Sequence, residues 1–213
     1  MSHDIWLRRW EEKNIGWHEE DGNPFLKSNY DLLELKQGDT VFIPLCGKSL
    51  DVHFFLAKGQ KVVGCELSHV AITELFDELG IEPFISTIDE YKVYSSESLT
   101  VFEGDILHLT SELVGHIDAI YDRASIVALP YMIRGEYTKL LRDISDNAKQ
   151  LLVSFDYEQE LHERTPYSVP MSEIVSHYKE FYDIKKVDSV ELEGGLKGSC
   201  PAKEEVYFLN KAQ

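Results

Sequence analysis

Five short apolar runs, separated by segments with helical periodicity, constrain the fold of this 213-residue chain more than any other feature. The runs span 40–45, 61–67, 98–106, 117–124 and 150–156. Each is rich in β-branched and other apolar residues, which is typical of strands buried on both faces of a sheet. Helical patterns at 49–59, 68–80 and 130–148 lie between them. This alternation predicts an α/β fold with a doubly wound, mostly parallel sheet.

The two ends of the chain depart from that alternation. Residues 5–13 place apolar side chains at helical spacing, and the segment 23–38 begins on Asn23-Pro24 and ends at Gly38, so we expect two helices before the first strand. Residues 183–195 and 204–210 alternate like strands. They predict seven strands in total, with an antiparallel last strand. No linker divides the sequence, so residues 1–213 are expected to form one domain, with residues 1–38 as a helical lid over its site.

The formal net charge of −17 limits the kinds of partner that the protein is expected to bind. A surface this acidic repels phosphate backbones and anionic lipids, so we expect neither nucleic acid nor membrane as a partner. The three cysteines are widely spaced, which favours free thiols in a reducing compartment. No signal peptide, no membrane-spanning apolar run and no metal-ligand spacing of histidines is visible. The expectation is a metal-free cytoplasmic monomer that acts on a small molecule.

Ligands of open α/β sheets bind outside the carboxyl ends of the strands. A glycine after the first strand lets the backbone approach a ligand, and an acid after the second can accept hydrogen bonds from ribose hydroxyls. A polar–apolar pair after the third strand suits an adenine ring. An Asp-Arg pair follows the fourth. The residues in these positions are Gly47, Glu66, Asp105, Ile106, Asp122 and Arg123.

Two nucleotide-binding alternatives are less well supported. Gly47 lacks the spaced second and third glycines of the dinucleotide fingerprint, which disfavours a nicotinamide dehydrogenase. Residues 46–49 resemble the end of a phosphate-binding P-loop, but the earlier glycine is missing, which disfavours an NTPase.

Several longer stretches carry a family resemblance. They are Trp6, Arg9-Trp10, 15–19, 23–26, VFIPLCGKSLD at 41–51, GQKVVGCELS at 59–68, FEGDI at 102–106, AIYDRASIVALP at 119–130 and EEVYFL at 204–209. Through them the chain resembles bacterial thiopurine S-methyltransferases over almost its whole length. The resemblance implies a Rossmann-like class I methyltransferase fold. It also implies direct in-line transfer of a methyl group from S-adenosyl-L-methionine to small aromatic or heterocyclic thiols, with S-adenosyl-L-homocysteine as the product.

The resemblance also implies roles for individual residues. Trp10 would cover the cofactor, Leu45 and Gly47 would contact its methionine part, Glu66 would hold its ribose, and Asp105 with Ile106 would line the adenine pocket. Arg123 would lie between cofactor and acceptor, while Phe25 and Pro166 would line the acceptor pocket. A strong general base is not required for a thiol acceptor; if one acts, Asp122 or a water held by Arg123 is the hypothesis.

One departure leaves the acceptor open. Family members often carry an arginine in the loop before the last strand, whereas LEGGLKGSCPAKEE at 192–205 contains none. Lys197 or Lys203 could substitute, although lysine lacks the planar fork of arginine. The alternatives are a methyltransferase for selenium or tellurium metabolites on the same scaffold, and a non-catalytic protein that binds an adenosyl ligand.

Overall fold

A nine-stranded sheet forms the centre of the protein in a computed structural model that describes residues 3–212. The strands are β1 Thr40–Pro44, β2 Lys61–Glu66, β3 Phe84–Ile88, β4 Tyr91–Ser95, β5 Leu99–Glu103, β6 Ala119–Arg123, β7 Lys149–Tyr157, β8 Tyr182–Glu191 and β9 Ala202–Lys211. Their order is β3-β4-β5-β2-β1-β6-β7-β9-β8. The five central strands, from β5 to β7, run parallel. The predicted doubly wound, mostly parallel sheet is therefore confirmed.

Helices cover both faces of the sheet. They are α1 His3–Glu11, α2 Pro24–Asn29, α3 Leu50–Ala57, α4 His69–Leu79, α5 Ser111–Val114, α6 Tyr131–Ser145 and α7 Met171–Tyr178. Short 3-10 turns lie at Tyr30–Leu33, Ile106–His108, Ile126–Ala128 and Gln159–Leu161. Within residues 3–212, no helix combines the length and apolar character that crossing a bilayer requires.

The strand count differs from the seven expected, because a hairpin of β3 and β4 adds two strands at one edge. The apolar side chains of β3 are exposed (Phe84 by 71%), so this strand lacks the pattern of a buried one. At the other end, β9 lies between β7 and β8 and is antiparallel to both. The predicted antiparallel last strand is confirmed, and β8 forms the edge of the sheet.

The second predicted helix begins where expected and ends early. The Asn23 side chain accepts hydrogen bonds from the N–H groups of Phe25 and Leu26, at 3.0 and 3.2 Å, as a helix cap does. Regular helix ends at Asn29, one 3-10 turn follows, and Glu34 adopts a left-handed conformation with φ 45°. The expected end at Gly38 is wrong, because the chain turns before it reaches that glycine.

Alternating side chains divide the core between the two faces. In β1, Phe42 packs on the face covered by α6 and α7, whereas Val41 and Ile43 pack on the face covered by α2, α3 and α4. This alternation also decides which side chains at the strand ends point to the same side of the sheet, because neighbours along a strand point to opposite sides. The strand order reverses at β1, between β2 and β6, and there parallel strands leave a crevice at their carboxyl ends.

Candidate active site

A cavity of about 310 Å³ lies beyond the carboxyl ends of β1, β2 and β6. Five of the residues predicted for the site line it: Trp10, Leu45, Glu66, Arg123 and Pro166. Its remaining walls are mainly apolar and come from α1 and the segment after it, from the turn after β6, from β7, and from β9 with the loop before it. The cavity thus extends from the carboxyl ends of neighbouring strands to a region with mainly apolar walls.

The turn after β1 brings backbone close to the aromatic roof. Leu45 and Gly47 both have positive φ, at 45° and 53°, a conformation that is uncommon for a residue such as leucine. A Cβ atom on Gly47 would lie 2.8 Å from the Trp10 ring. A recess of about 30 Å³ beside this turn is also lined by Gly47, together with Lys48 and Ser49. The predicted glycine therefore lies in the recess beside the cavity and has no room for a side chain.

Glu66 ends β2 with its carboxylate buried against this turn. One oxygen accepts the Gly47 N–H at 2.9 Å, and the other accepts the Ser68 N–H at 2.8 Å. Burial raises the pKa of Glu66, and these N–H groups oppose part of the rise. A carboxylate has about four acceptor positions. Glu66 also lines the cavity, so the acceptor positions that backbone N–H groups leave unused are open to a ligand there.

Three tryptophans form the roof of the cavity. The Trp17 ring lies edge-on to Trp6 and to Trp10, with centroid distances of 5.3 and 5.8 Å. Arg9 places its guanidinium 4.9 Å from the Trp6 ring and donates to the Thr165 hydroxyl at 3.1 Å. Of the predicted lid, residues as far as Glu19 line the cavity, whereas Leu26 and Leu33 of the following segment are fully buried in the core.

Arg123 connects the end of β6 to this roof. Its guanidinium lies 2.5 Å from a Glu19 carboxylate oxygen and donates to the Trp17 carbonyl at 2.8 Å. The other Glu19 oxygen, Oε2, is buried without a hydrogen-bond partner among residues 3–212. Arg123 therefore both lines the cavity and holds the segment that covers it.

The predicted adenine pair lies beside the cavity rather than among its lining residues. The Asp105 carboxylate accepts the Leu107 N–H at 3.0 Å and pairs with His3 at 3.1 Å. Ile106 is buried in the core. The Gly104 N–H nevertheless donates to the Glu66 carbonyl at 3.0 Å. Asp105 and Ile106, which follow Gly104 in the chain, therefore lie near the end of β2.

Phe25 and Asp122 point away from the cavity. Phe25 is buried in the core by the capped helix α2. Asp122 is fully buried, accepting the Tyr137 hydroxyl at 2.7 Å and the Ile126 N–H at 3.1 Å, and burial raises its pKa to about 6. The structure does not place either residue at the expected acceptor site. For Asp122 the reason is that neighbours on a strand face opposite sides, so only Arg123 reaches the cavity.

Several lining residues were not singled out from the sequence. They are Trp17, Glu19, Val153, Phe155 and Glu204. Lys197, one of the two predicted substitutes for the missing arginine, also lines the cavity. Lys203, the other candidate, lies 3.9 Å from Glu191 outside the cavity. Glu204 and Glu205 are adjacent in an alternating strand, and alternation alone does not say which of the two faces the site. In the part of the chain from 3 to 212, no cluster of His, Cys, Asp or Glu could hold a metal ion.

We expect Gly47→Ala to weaken cofactor binding about tenfold, because the added methyl group must displace the Trp10 ring. Gly80→Ala is the matched control: it also has positive φ, 66°, but nothing lies within 4 Å of its Cβ position. Both variants carry the backbone strain of about 1–2 kcal/mol, and only the first disturbs the roof. Calorimetric titration of both with S-adenosyl-L-methionine separates these effects, and equal affinities would contradict a role for the Trp10–Gly47 contact.

Solved structures share the fold at low sequence identity. A SAM-dependent methyltransferase from Anabaena variabilis superposes with a TM-score of 0.66 at 14% identity, covering 99% of this chain and 96% of that one. A 1,6-didemethyltoxoflavin-N1-methyltransferase from Burkholderia thailandensis, solved with 1,6-didemethyltoxoflavin and S-adenosylhomocysteine, gives 0.65 at 12% identity, with 98% and 87% covered. At these identities the comparison establishes the fold alone.

Sequence relatives are much closer. Proteins named thiopurine S-methyltransferase from Teredinibacter turnerae and Xanthobacter autotrophicus are each 42% identical to this chain. The first match covers 99% of this chain and 98% of the relative, and the second covers all of both. The family model for thiopurine S-methyltransferase matches residues 1–211. The chain therefore belongs to the thiopurine S-methyltransferase family of methyltransferases.

Proposed function

We propose that this protein transfers the methyl group of S-adenosyl-L-methionine to a small aromatic or heterocyclic thiol. The observation that carries the proposal is a single cavity with two different ends. At one end lie the buried Glu66 carboxylate and the turn at Gly47. At the other lie apolar side chains of Val153, Phe155 and Pro166.

The first end fits a sulfonium nucleoside. Glu66 keeps carboxylate acceptor positions that are free for ligand hydroxyls, and the Trp10 ring packs close to Gly47 beside it. In this proposal Leu45 and Gly47 hold the methionine part, Glu66 holds the ribose, and Asp105 with Ile106 borders the adenine beyond the end of β5. Trp10 covers the ligand from above.

The cofactor supplies a methyl group already activated by a positively charged sulfur. The residues of the chain need only hold the two reactants in line and exclude water, which lowers barriers of such reactions by roughly 7–11 kcal/mol. The tryptophan roof and the Arg123–Glu19 pair line the cavity on the α1 side. Asp122, already bonded to Tyr137, supports the turn after β6 and is not the base in this proposal.

The apolar end fits a flat, soft acceptor. Val153, Phe155, Pro166 and Leu196 offer a low-polarity wall, and Lys197 stands at its rim. The three cysteines are buried free thiols, which supports the proposed cytoplasmic location.

Incubation with methyl-labelled S-adenosyl-L-methionine and a panel of acceptors tests the function. We expect label on benzenethiols and heterocyclic thiones. Label on selenium or tellurium compounds alone would favour that alternative. Tight cofactor binding with no labelled product from any acceptor would favour a non-catalytic binding protein. A thermal shift produced by NAD but not by S-adenosyl-L-methionine would contradict the proposal altogether.

A further inference from the structure

Glu204 is a carboxyl group in the cavity wall that the proposed reaction does not yet use. It lies on β9 directly opposite Phe155 of β7, and both residues line the cavity. Its other cross-strand neighbour is Val190 of β8. Glu204 is thus framed by uncharged neighbours at the acceptor end, away from Glu66 on β2.

No side chain or backbone group within residues 3–212 forms a hydrogen bond or ion pair with the Glu204 carboxylate. Its neighbour Glu205 contrasts with it: that carboxylate faces the other side of the strand and pairs with Lys186 at 2.9 Å and with the Tyr207 hydroxyl. A half-buried carboxyl without a partner is costly when ionised, unless a ligand supplies a donor.

A second carboxylate oxygen nearby is also short of a donor. Glu19 uses Oε1 to pair with Arg123, while its Oε2 is buried without a partner in the described part of the chain. Within residues 3–212, the Glu204 carboxylate and one oxygen of Glu19 therefore lack donors, and Arg123 is already paired with the other Glu19 oxygen. This wall is suited to a ligand that brings an N–H or S–H hydrogen.

Burial in the cavity wall brings the pKa of Glu204 close to neutral pH. Burial raises the pKa of Glu204, Arg123 opposes that rise and Glu19 adds to it, and together they bring the pKa to about 7. The charged side chains that line the same cavity are Arg9, Glu19, Glu66, Arg123 and Lys197. A carboxylate that titrates near neutrality is well placed to accept a proton.

We propose that Glu204 receives the proton of the acceptor, through a hydrogen bond to the ring N–H of a heterocyclic thione. This inference rests on the proposed function. The sulfur of the thione takes the methyl group and forms the new S–C bond, while the bond to the cofactor sulfur breaks and leaves its electron pair on that sulfur. The methylated ring, now cationic, loses its N–H proton to the Glu204 carboxylate, and the ring becomes neutral. Glu204 returns that proton to solvent.

The same geometry makes Glu204 a determinant of specificity. Acceptors with a ring N–H beside the sulfur gain a hydrogen bond and lose a proton to it. Arenethiolates have no such hydrogen and bring a like charge to the carboxylate. Glu204 therefore favours heterocyclic thiones over ionised arenethiols.

The test compares E204Q with E205Q as the matched control on two acceptors, a pyridinethione with the N–H next to the sulfur-bearing carbon and para-nitrobenzenethiol. We expect E204Q to lower kcat/KM about a hundredfold for the thione, the scale of general base catalysis. For the nitrobenzenethiolate, kcat/KM should stay unchanged or rise. E205Q should leave the ratio between the two acceptors unchanged.

The pH dependence gives a second readout. Because only the ionised carboxylate accepts a proton, wild-type kcat/KM for the thione should rise with pH and level off above about 7. The step should vanish in E204Q. Binding of the pyridinethione without cofactor, followed by ultraviolet difference absorption, should tighten over the same range in the wild type and not in E204Q.

The outcomes separate this inference from the function on which it rests. If the wild type methylates both acceptors and E204Q lowers both equally, Glu204 is structural and the inference is wrong, while the proposed function stands. If the wild type methylates neither, the proposed function is wrong, and thione binding still tests Glu204. Should E204Q not fold, E204D keeps a carboxylate and is expected to retain the pH step; a flat profile there would overturn the inference.

Discussion

Glu66→Ala is expected to weaken S-adenosyl-L-methionine binding about a hundred- to a thousandfold. In the proposed function the substitution removes the acceptor for two ribose hydroxyls, and hydrogen bonds to a charged group contribute roughly 1.5–3 kcal/mol each. A loss of about 3–4 kcal/mol corresponds to two to three orders of magnitude in Kd, because about 1.4 kcal/mol is a factor of ten. Calorimetric titration of the purified variant measures it.

The structure adds a second consequence of that substitution. Alanine at position 66 leaves the N–H groups of Gly47 and Ser68 without their carboxylate partner. Each buried group left unsatisfied costs about 1–3 kcal/mol, so we expect a lower melting temperature as well as weaker binding. The turn that approaches the cofactor should loosen with it.

Glu103→Ala is the matched control for Glu66→Ala. Glu103 pairs with Glu66 in register on the neighbouring strand, but its carboxylate accepts the Tyr94 hydroxyl at 2.6 Å and lies outside the cavity. It should lose some stability and keep the cofactor Kd. If the two variants bound the cofactor equally well, Glu66 would have no place in the site.

Arg123→Ala is expected to lower kcat/KM about a hundredfold and to speed cofactor release. Alanine breaks the ion pair with Glu19 and the bond to the Trp17 carbonyl, so the roof segment loses its connection to β6. Removing one partner of a buried pair costs about 3–5 kcal/mol, and we expect less here because Glu19 is about one-third exposed. Single-turnover kinetics and stopped-flow release of the cofactor measure the two effects.

Two further variants complete the test: one separates charge from geometry at position 123, and the other is a control at an arginine outside the cavity. Arg123→Lys keeps the charge without the planar fork and should recover only part of the rate. Arg142→Ala removes an arginine that donates to the His177 carbonyl outside the cavity, and it should leave turnover unchanged. Normal release and turnover in Arg123→Ala would show that the pair with Glu19 does not hold the roof.

The central strands could be predicted because their signal is local. Runs such as 40–45 and 61–67 are apolar throughout, and only strands buried on both faces have that composition. The caps at Asn23 and Ser68 are equally local, since each side chain bonds to N–H groups two or three residues later. The hairpin of β3 and β4 was missed because most of β3 is exposed and carries no such signal.

The candidate site likewise contains residues that the sequence predicts and residues that only the structure identifies. Glu66, Gly47 and Arg123 follow strands whose parallel order is set by the alternation of elements, so the sequence places them at one edge of the sheet. Asp122 precedes Arg123 by one residue and faces the opposite side. Phe25 belongs to a matching sequence stretch and packs into the core. Sequence proximity does not distinguish residues that line a cavity from those that support it.

By itself, the sequence determined the α/β architecture, the capped helix starts and the family, because periodicity, capping and extended motifs are properties of neighbouring residues. Only the tertiary structure decided that Arg123 reaches Glu19 across 104 residues and that Lys197 rather than Lys203 lines the cavity. It also decided that Glu204 faces the cavity with no hydrogen-bond partner among the described residues, 3–212. These features depend on which side of the sheet each strand residue faces and on segments that meet only after the chain has folded. The pKa of Glu204 likewise depends on the folded chain, because it is raised by burial and changed by Arg123 and Glu19, which lie far away in sequence.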